Sequence, residues 1–267
     1  YSEGYMEFLK SFRRRSFLSE LVYISLNVCL AVAILLIVRT VDSIIPALLL
    51  VTLSKWRVFA VRPRYWLANI QANFVDFIVS VSTVVVLYSV GVNNQYSLLL
   101  QVILTLLYIA WLIYLKPRST KRAVVMQAGA ALIIGPAALF ASSYNWPIEV
   151  LVLCMAIVGY VVGRHVLTQY EEGHLQFLSL FYAFVLAQLG WIFYHWVIAY
   201  SLPIVGARIP QAVLLIAVIS FVIYKVYDSY KTHDQVRPVD IVLPVLFGTS
   251  IVAVLLLFFS AIPIGAL

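Results

Sequence analysis

Residues 17–38 read FLSELVYISLNVCLAVAILLIV, an apolar run held between Arg13, Arg14 and Arg15 on one side and Arg39 on the other. At ~1.5 Å of rise per residue, a helix of ~20 such residues covers the ~30 Å hydrocarbon layer of a bilayer. A single helix also satisfies its own backbone hydrogen bonds, which lipid cannot do for it. Comparable runs recur near 41–59, 67–90, 96–115, 123–142, 147–165, 175–200, 209–226 and 239–262, so nine spans are expected. The breaks between them are polar or turn-forming and too short for a folded soluble domain. The expected fold is therefore all-α, a polytopic transmembrane helix bundle. Residues 1–16 form a basic cytoplasmic segment and 17–267 a single membrane domain.

Composition leads to the same class. The chain is 64% hydrophobic and 11% charged, with a mean hydropathy of +1.01, whereas a soluble domain carries about a quarter charged residues. A membrane β-barrel would show alternating polar and apolar positions in segments of about 10 residues, and none is present. The net charge of +7 does not indicate nucleic-acid binding, because the basic residues sit in short loops between apolar runs, where membrane insertion accounts for them. Cys29 and Cys154 both fall inside apolar runs and carry no information about redox compartment.

Assigning the loops alternately to two faces gathers all but Arg39 and Arg208 of the 18 basic residues on one side. Positively charged loops are retained in the cytoplasm, which predicts a cytoplasmic N-terminus and an external C-terminus. The weakest span is the second. Its uncharged part runs only from Ser43 to Ser54, too short for a full crossing, so it must borrow Lys55, Trp56 and Arg57 at the interface or turn back with the first span. Either way the Lys55–Arg64 cluster returns to the side of Arg13–Arg15.

An ionisable group within a span costs a few kcal/mol, ~2.5–3.5 on insertion scales, and marks a functional candidate. Asp76 is the clear case. Asn69, Asn73, Ser80 and Thr83 share its face at helical offsets of three and four, and the resulting stripe either lines an aqueous path or joins helices. In the seventh span Gln188, Trp191 and His195 share a second face. This face provides interhelical hydrogen bonds or a titrating, ligand-contacting histidine open to the outside. Gly159 and Gly163 form a GxxxG pair suited to close helix approach. Gly135-Pro136 and Pro244 predict kinks.

No phosphate-binding glycine loop, serine-hydrolase elbow, metalloprotease helix or dinucleotide fingerprint occurs. Of the four histidines only His195 lies well within a span, so neither a haem nor a zinc site is expected, and no cofactor is assigned.

The stretch Ser54-Lys55-Trp56-Arg57-Val58-Phe59-Ala60-Val61-Arg62-Pro63-Arg64-Tyr65-Trp66, with Gly190-Trp191 and Tyr194-His195-Trp196, resembles uncharacterised multi-pass membrane proteins of small-genome candidate-phylum bacteria. The resemblance implies a bacterial cytoplasmic (inner) membrane and assigns no activity or site residue. The leading expectation is a transporter-like or channel-like protein for a small solute or ion, with Asp76 as binding or coupling carboxylate. The alternatives are a non-catalytic subunit or scaffold of a membrane complex, and an intramembrane enzyme acting on lipid or a lipid-linked substrate. The expected surroundings are the lipid bilayer, with a membrane-protein partner or a second copy of the chain left open.

Overall fold

The computed structural model describes residues 2–41, 43–60, 62–92, 97–143, 146–170, 172–195, 199–201 and 208–258. Nine α-helices make up almost all of them: α1 (Ser2–Thr40), α2 (Ile45–Ser54), α3 (Trp66–Val92), α4 (Ser97–Ala110), α5 (Lys121–Ser142), α6 (Ile148–Leu167), α7 (Leu175–His195), α8 (Gln211–His233) and α9 (Pro238–Phe258). Eight of these segments are long and apolar enough to cross a membrane, so the chain is a multi-pass membrane protein. The exception is α2.

The 41–59 expectation needs correction on this point. The α2 helix has 10 residues, about 15 Å of rise, and stops at Lys55 instead of running on through Trp56 and Arg57. A 3-10 turn, Trp56–Phe59, follows, and a second, Pro63–Tyr65, leads into α3. Pro46 fits at the start of α2, where a backbone N–H has no helical partner anyway.

Hydrogen bonds fix how the first helices run. Tyr23 Oη donates to the Leu112 carbonyl (2.9 Å), and Arg39 Nη1 donates to Gln101 Oε1 (3.0 Å). Gln101 Nε2 in turn donates to the Leu87 carbonyl (2.9 Å). Thus α1 and α3 both run antiparallel to α4 and parallel to each other. The intervening segment, with its ten-residue helix and two 3-10 turns, brings the chain back to its starting side.

Two further boundaries differ from expectation. The α7 helix ends at His195, and Ala199–Ser201 pairs antiparallel with Arg208–Pro210 in a short two-stranded ribbon leading into α8. The paired strands satisfy backbone groups there that a helix extended to residue 200 would have satisfied internally. The α8 helix continues to His233 through residues expected in a loop, ending at Asp234 in the left-handed conformation (φ 55°). Residues 196–198 and 259–262 of the expected seventh and ninth spans lie outside the described residues.

The core runs through α3, α5 and α6, with Ile34, Val51, Leu87, Leu112, Leu151, Met155 and Ile216 fully enclosed. The α6 and α7 helices make the most intimate contact, across the GxxxG pair. A Cβ on Gly159 would lie 2.9 Å from Ala183 Cα, and one on Gly163 would lie 3.0 Å from the Tyr182 ring. Only a residue without a side chain lets the backbones approach so closely. Pro136 sits inside α5 without ending it.

Candidate functional site

The polar stripe forms one continuous face of α3, and its members are joined mostly to the protein itself. Asn69 Nδ2 donates to the Val58 carbonyl at 2.7 Å, tying the start of α3 to the 3-10 turn after α2. Asn73 Nδ2 donates to the Asn69 carbonyl (2.8 Å) and to its Oδ1 (3.1 Å). Ser80 and Thr83 donate to the carbonyls of Asp76 and Val79 at 2.7 Å each. Hydroxyls turned back onto their own helix in this way are satisfied without water or a neighbour.

Asp76 lies ten residues past Trp66, about 15 Å along α3. It receives three donors from outside its helix. Lys55 Nζ lies 2.5 Å from Oδ2, Lys116 Nζ 2.9 Å from the same oxygen, and Trp111 Nε1 donates to Oδ1 at 3.2 Å. The side chains of Asp76 and Lys55 are only 10% and 11% exposed, and that of Lys116 is 30% exposed. Burying an unpaired charge is prohibitive; here one carboxylate offsets one enclosed ammonium and a second that keeps contact with solvent. The cluster carries a formal excess of one positive charge.

Local structure sets this geometry. Lys55 is the C-cap of α2, so the shortness of that helix places its side chain beside α3. Residues Trp111–Leu115 form a turn of π-helix, closed by the Lys116 N–H to the Trp111 carbonyl at 2.9 Å. In a regular α-helix, residues five apart lie about 140° apart around the axis. The wider π turn reduces that separation, and Trp111 and Lys116 converge on one carboxylate. Single π turns of this kind often stand at functional positions. Tyr108, one turn before, is buried, and its hydroxyl sits beside Ser80 without the geometry of a hydrogen bond.

Sequence reading found Asp76 and its stripe but not its partners. Lys55 and Lys116 read as retained loop charges. The missing signal was available in outline, since a carboxylate this deep needs a cation, and Lys55 and Lys116 stand at the ends of the helical segments before and after α3. Replacing Trp111 by Phe keeps an aromatic ring and removes one charge-assisted hydrogen bond together with part of the indole's volume. The expected loss is about 1.5–3 kcal/mol of unfolding free energy, read by denaturant titration in detergent micelles; Trp111→Phe at wild-type stability would show that the indole N–H contributes nothing.

Other buried polar side chains also join helices. Gln127 Nε2 donates to the Leu115 and Arg118 carbonyls (2.7 and 2.9 Å), while its Oε1 lies 2.8 Å from His165 Nε2. Gln211 Nε2 donates to the Leu255 carbonyl at 2.9 Å, and Tyr182 Oη to Ser220 Oγ at 2.6 Å. Between α6 and α7, Glu172 accepts from Lys231 (2.5 Å) and from Tyr227. Those hydrogen bonds, Lys231's first, pull its carboxyl down to about 2. The stability this contributes is complete above the ordinary glutamate pKa and is lost as the pH falls through about 2.

Gln188 and His195 are placed differently from Asp76. Both are exposed on the outward side of α7, and neither has a hydrogen bond or ion pair to another helix among the described residues. His195 stacks edge-on against Trp191 and Tyr194, with ring centroids 5.1 and 5.6 Å apart. The structure thus brings Asn69, Asn73, Asp76, Ser80 and Thr83 together, and leaves Gln188 and His195 as a separate surface. Among the described residues no three His, Cys, Asp or Glu side chains converge to hold a metal ion. Comparison with protein-family models, with curated proteins and with solved structures finds no match to this chain.

Proposed function

We propose that this chain is a non-catalytic structural subunit of a membrane assembly that associates with a second copy of itself through the outward face of α7. Its setting is a bacterial cytoplasmic membrane, crossed nine times if the α2 segment is counted, with the N-terminus inside and the C-terminus outside. The basic loops gathered on one face support that orientation. The observation that carries the reading is Gln188. Phe177, Leu180, Phe184, Gln188, Trp191 and His195 follow one another at spacings of three or four and are all exposed. Ser179, Ala183, Leu186 and Gly190 are buried on the opposite side.

The outward face is apolar along most of its length, as lipid requires, yet Gln188 sits about 10 Å from the His195 end. A primary amide in hydrocarbon seeks partners, and such contacts join helices for ~0.6–2 kcal/mol each. An amide both donates and accepts, so two copies of this face related by a two-fold axis are self-complementary. Apart from the Tyr108 hydroxyl, the buried polar side chains described above are engaged within the bundle, which supports the same reading.

Cysteine cross-linking in native membranes tests it, in a background lacking Cys29 and Cys154. Phe184→Cys is expected to give an oxidised dimer, and Leu153→Cys, equally exposed on α6, is not. Adding Gln188→Leu is expected to reduce the Phe184→Cys dimer several-fold. Equal cross-linking from both positions would indicate random collision and sink the proposal.

A second reading, a transporter-like or channel-like protein for a small solute or ion, is favoured by one feature. Lys116 is part-exposed and gives Asp76 a polar connection toward solvent. In that reading Lys55 and a cationic substrate or proton exchange on the carboxylate. Asp76→Asn would then abolish ion-coupled flux in proteoliposomes.

A further inference from the structure

The α7 and α8 helices barely touch, and the gap between them opens into a cavity of about 380 Å³ backed by α5 and α6. Its wall is almost wholly aliphatic and aromatic, with Leu132, Val162, Leu178, Val185 and Phe221 representative. The Tyr182 hydroxyl, which also faces this space, is engaged by Ser220. Phe181 and Phe221, at the opening, are exposed. At roughly 30 Å³ per small heavy-atom group, taking a water molecule's share of the liquid as the measure, the space takes about a dozen methylenes. That is the scale of a single hydrocarbon chain.

Basic residues stand just outside one end of the cavity. Tyr227 and Tyr224 line it there, close to the C-terminal end of α8 and the N-terminal end of α5. Lys231 stands 5.9 Å from the Tyr227 ring centroid and Lys225 6.0 Å from that of Phe221. Lys121 lies 4.3 Å from the Tyr170 ring, which packs edge-on against Tyr227 at 5.1 Å. Two carboxylates face these cations: Asp228 pairs with Lys121 (2.8 Å) and Glu172 with Lys231 (2.5 Å). Lys225 makes no ion pair among the described residues, although Asp228 lies within its field. The rim thus keeps an excess of positive charge at the depth where a headgroup would lie.

We propose that this cavity is a binding site for a single-chain membrane amphiphile with an anionic, phosphate-type headgroup. Its chain lies between α7 and α8 against Leu132 and Val162, and its headgroup meets Lys225 beside Tyr224 and Tyr227. Chain burial supplies the affinity, and the cationic rim sets orientation and selects charge. On α7 the cavity side (Leu178, Tyr182, Val185) adjoins the outward Gln188 face, with Phe181 at the border, and the two proposals are read by separate experiments, cross-linking at Phe184 and labelling of the cavity.

Gly129 provides a clean test. It lines the cavity, and a Cβ built on it meets nothing within 4 Å, so the side chain of Gly129→Leu starts into open space and is expected to occupy the cavity. The purified full chain in neutral detergent is photolabelled with dodecyl phosphate carrying a diazirine in its chain. Label is expected on α5, α7 and α8 residues of the wall, displaced saturably by unlabelled dodecyl phosphate but not by inorganic phosphate. Gly129→Leu is expected to lower labelling at least fivefold with no fall in thermal unfolding midpoint. Dodecanol carrying the same diazirine is expected to label at least fivefold less than the phosphate. Labelling that is non-saturable on the unmodified chain would overturn the site. So would labelling that is unchanged in Gly129→Leu. Equal labelling by the alcohol would overturn the assignment of an anionic headgroup.

Discussion

Exchanging Asp76 for Asn is expected to lower the unfolding free energy by about 3–5 kcal/mol, the usual result of removing one partner from a buried ion pair. The amide fills the same volume, so the loss is electrostatic. Lys55, nearly enclosed, is left with no opposite charge, while Lys116 can turn to water. A second substitution separates this from simple misfolding. Lys55→Met in the Asp76→Asn background is expected to recover most of the loss, because the stranded ammonium is gone, whereas Lys55→Met alone is expected to be mild, since Asp76 keeps Lys116. The two changes should therefore be strongly non-additive. Denaturant titration in micelles reads all four proteins; an Asp76→Asn loss below about 1 kcal/mol would mean that the pair does not hold the helices together.

Replacing Gly159 by Leu is expected to be at least as damaging locally, by about 3 kcal/mol or more. The atoms a side chain would meet are Ala183 Cα at 2.9 Å and the Tyr182 carbonyl oxygen at 3.1 Å. Both belong to backbone, which cannot rotate aside, so α6 and α7 must separate along their closest contact. Gly129→Ala is the matched control. Its Cβ enters open space, and reduced freedom of the unfolded chain should stabilise the protein by about 0.4–1 kcal/mol. Wild-type or raised stability of Gly159→Leu would show that close helix approach does not govern that position.

Which runs form long apolar helices was legible in the sequence, because hydrocarbon excludes charge so strongly that helix lengths are written as uncharged runs. Even the anomaly at α2 was visible in the short stretch Ser43–Ser54. What could not be read was which side of each helix faces its neighbours. In water an apolar stripe marks the interior, but lipid is as apolar as a protein core, so both faces of α7 carry large apolar residues. Gln188, Trp191 and His195 read as one face of the helix, and the structure turns that face outward. The same blindness hid Gln101, Gln127 and Gln211, whose partners are carbonyls or side chains far along the chain. Lys55 and Lys116 were hidden for another reason: a rule that explains basic residues by topology leaves no prompt to ask what they touch. The π turn at Trp111–Leu115 follows from no local preference that the residues display.

The brevity of α2 bears on how the polypeptide is made. A ten-residue apolar helix is a poor insertion signal, yet everything downstream takes its sidedness from the chain turning back there. The counter-ion that latches the end of this helix is encoded 21 residues later, as Asp76. During synthesis Lys55 therefore leaves the ribosome before the carboxylate that will neutralise it, and the early hairpin stays unlatched until α3 follows. Nascent chains arrested before and after Asp76 emerges should accordingly differ in how firmly the first two helices are seated.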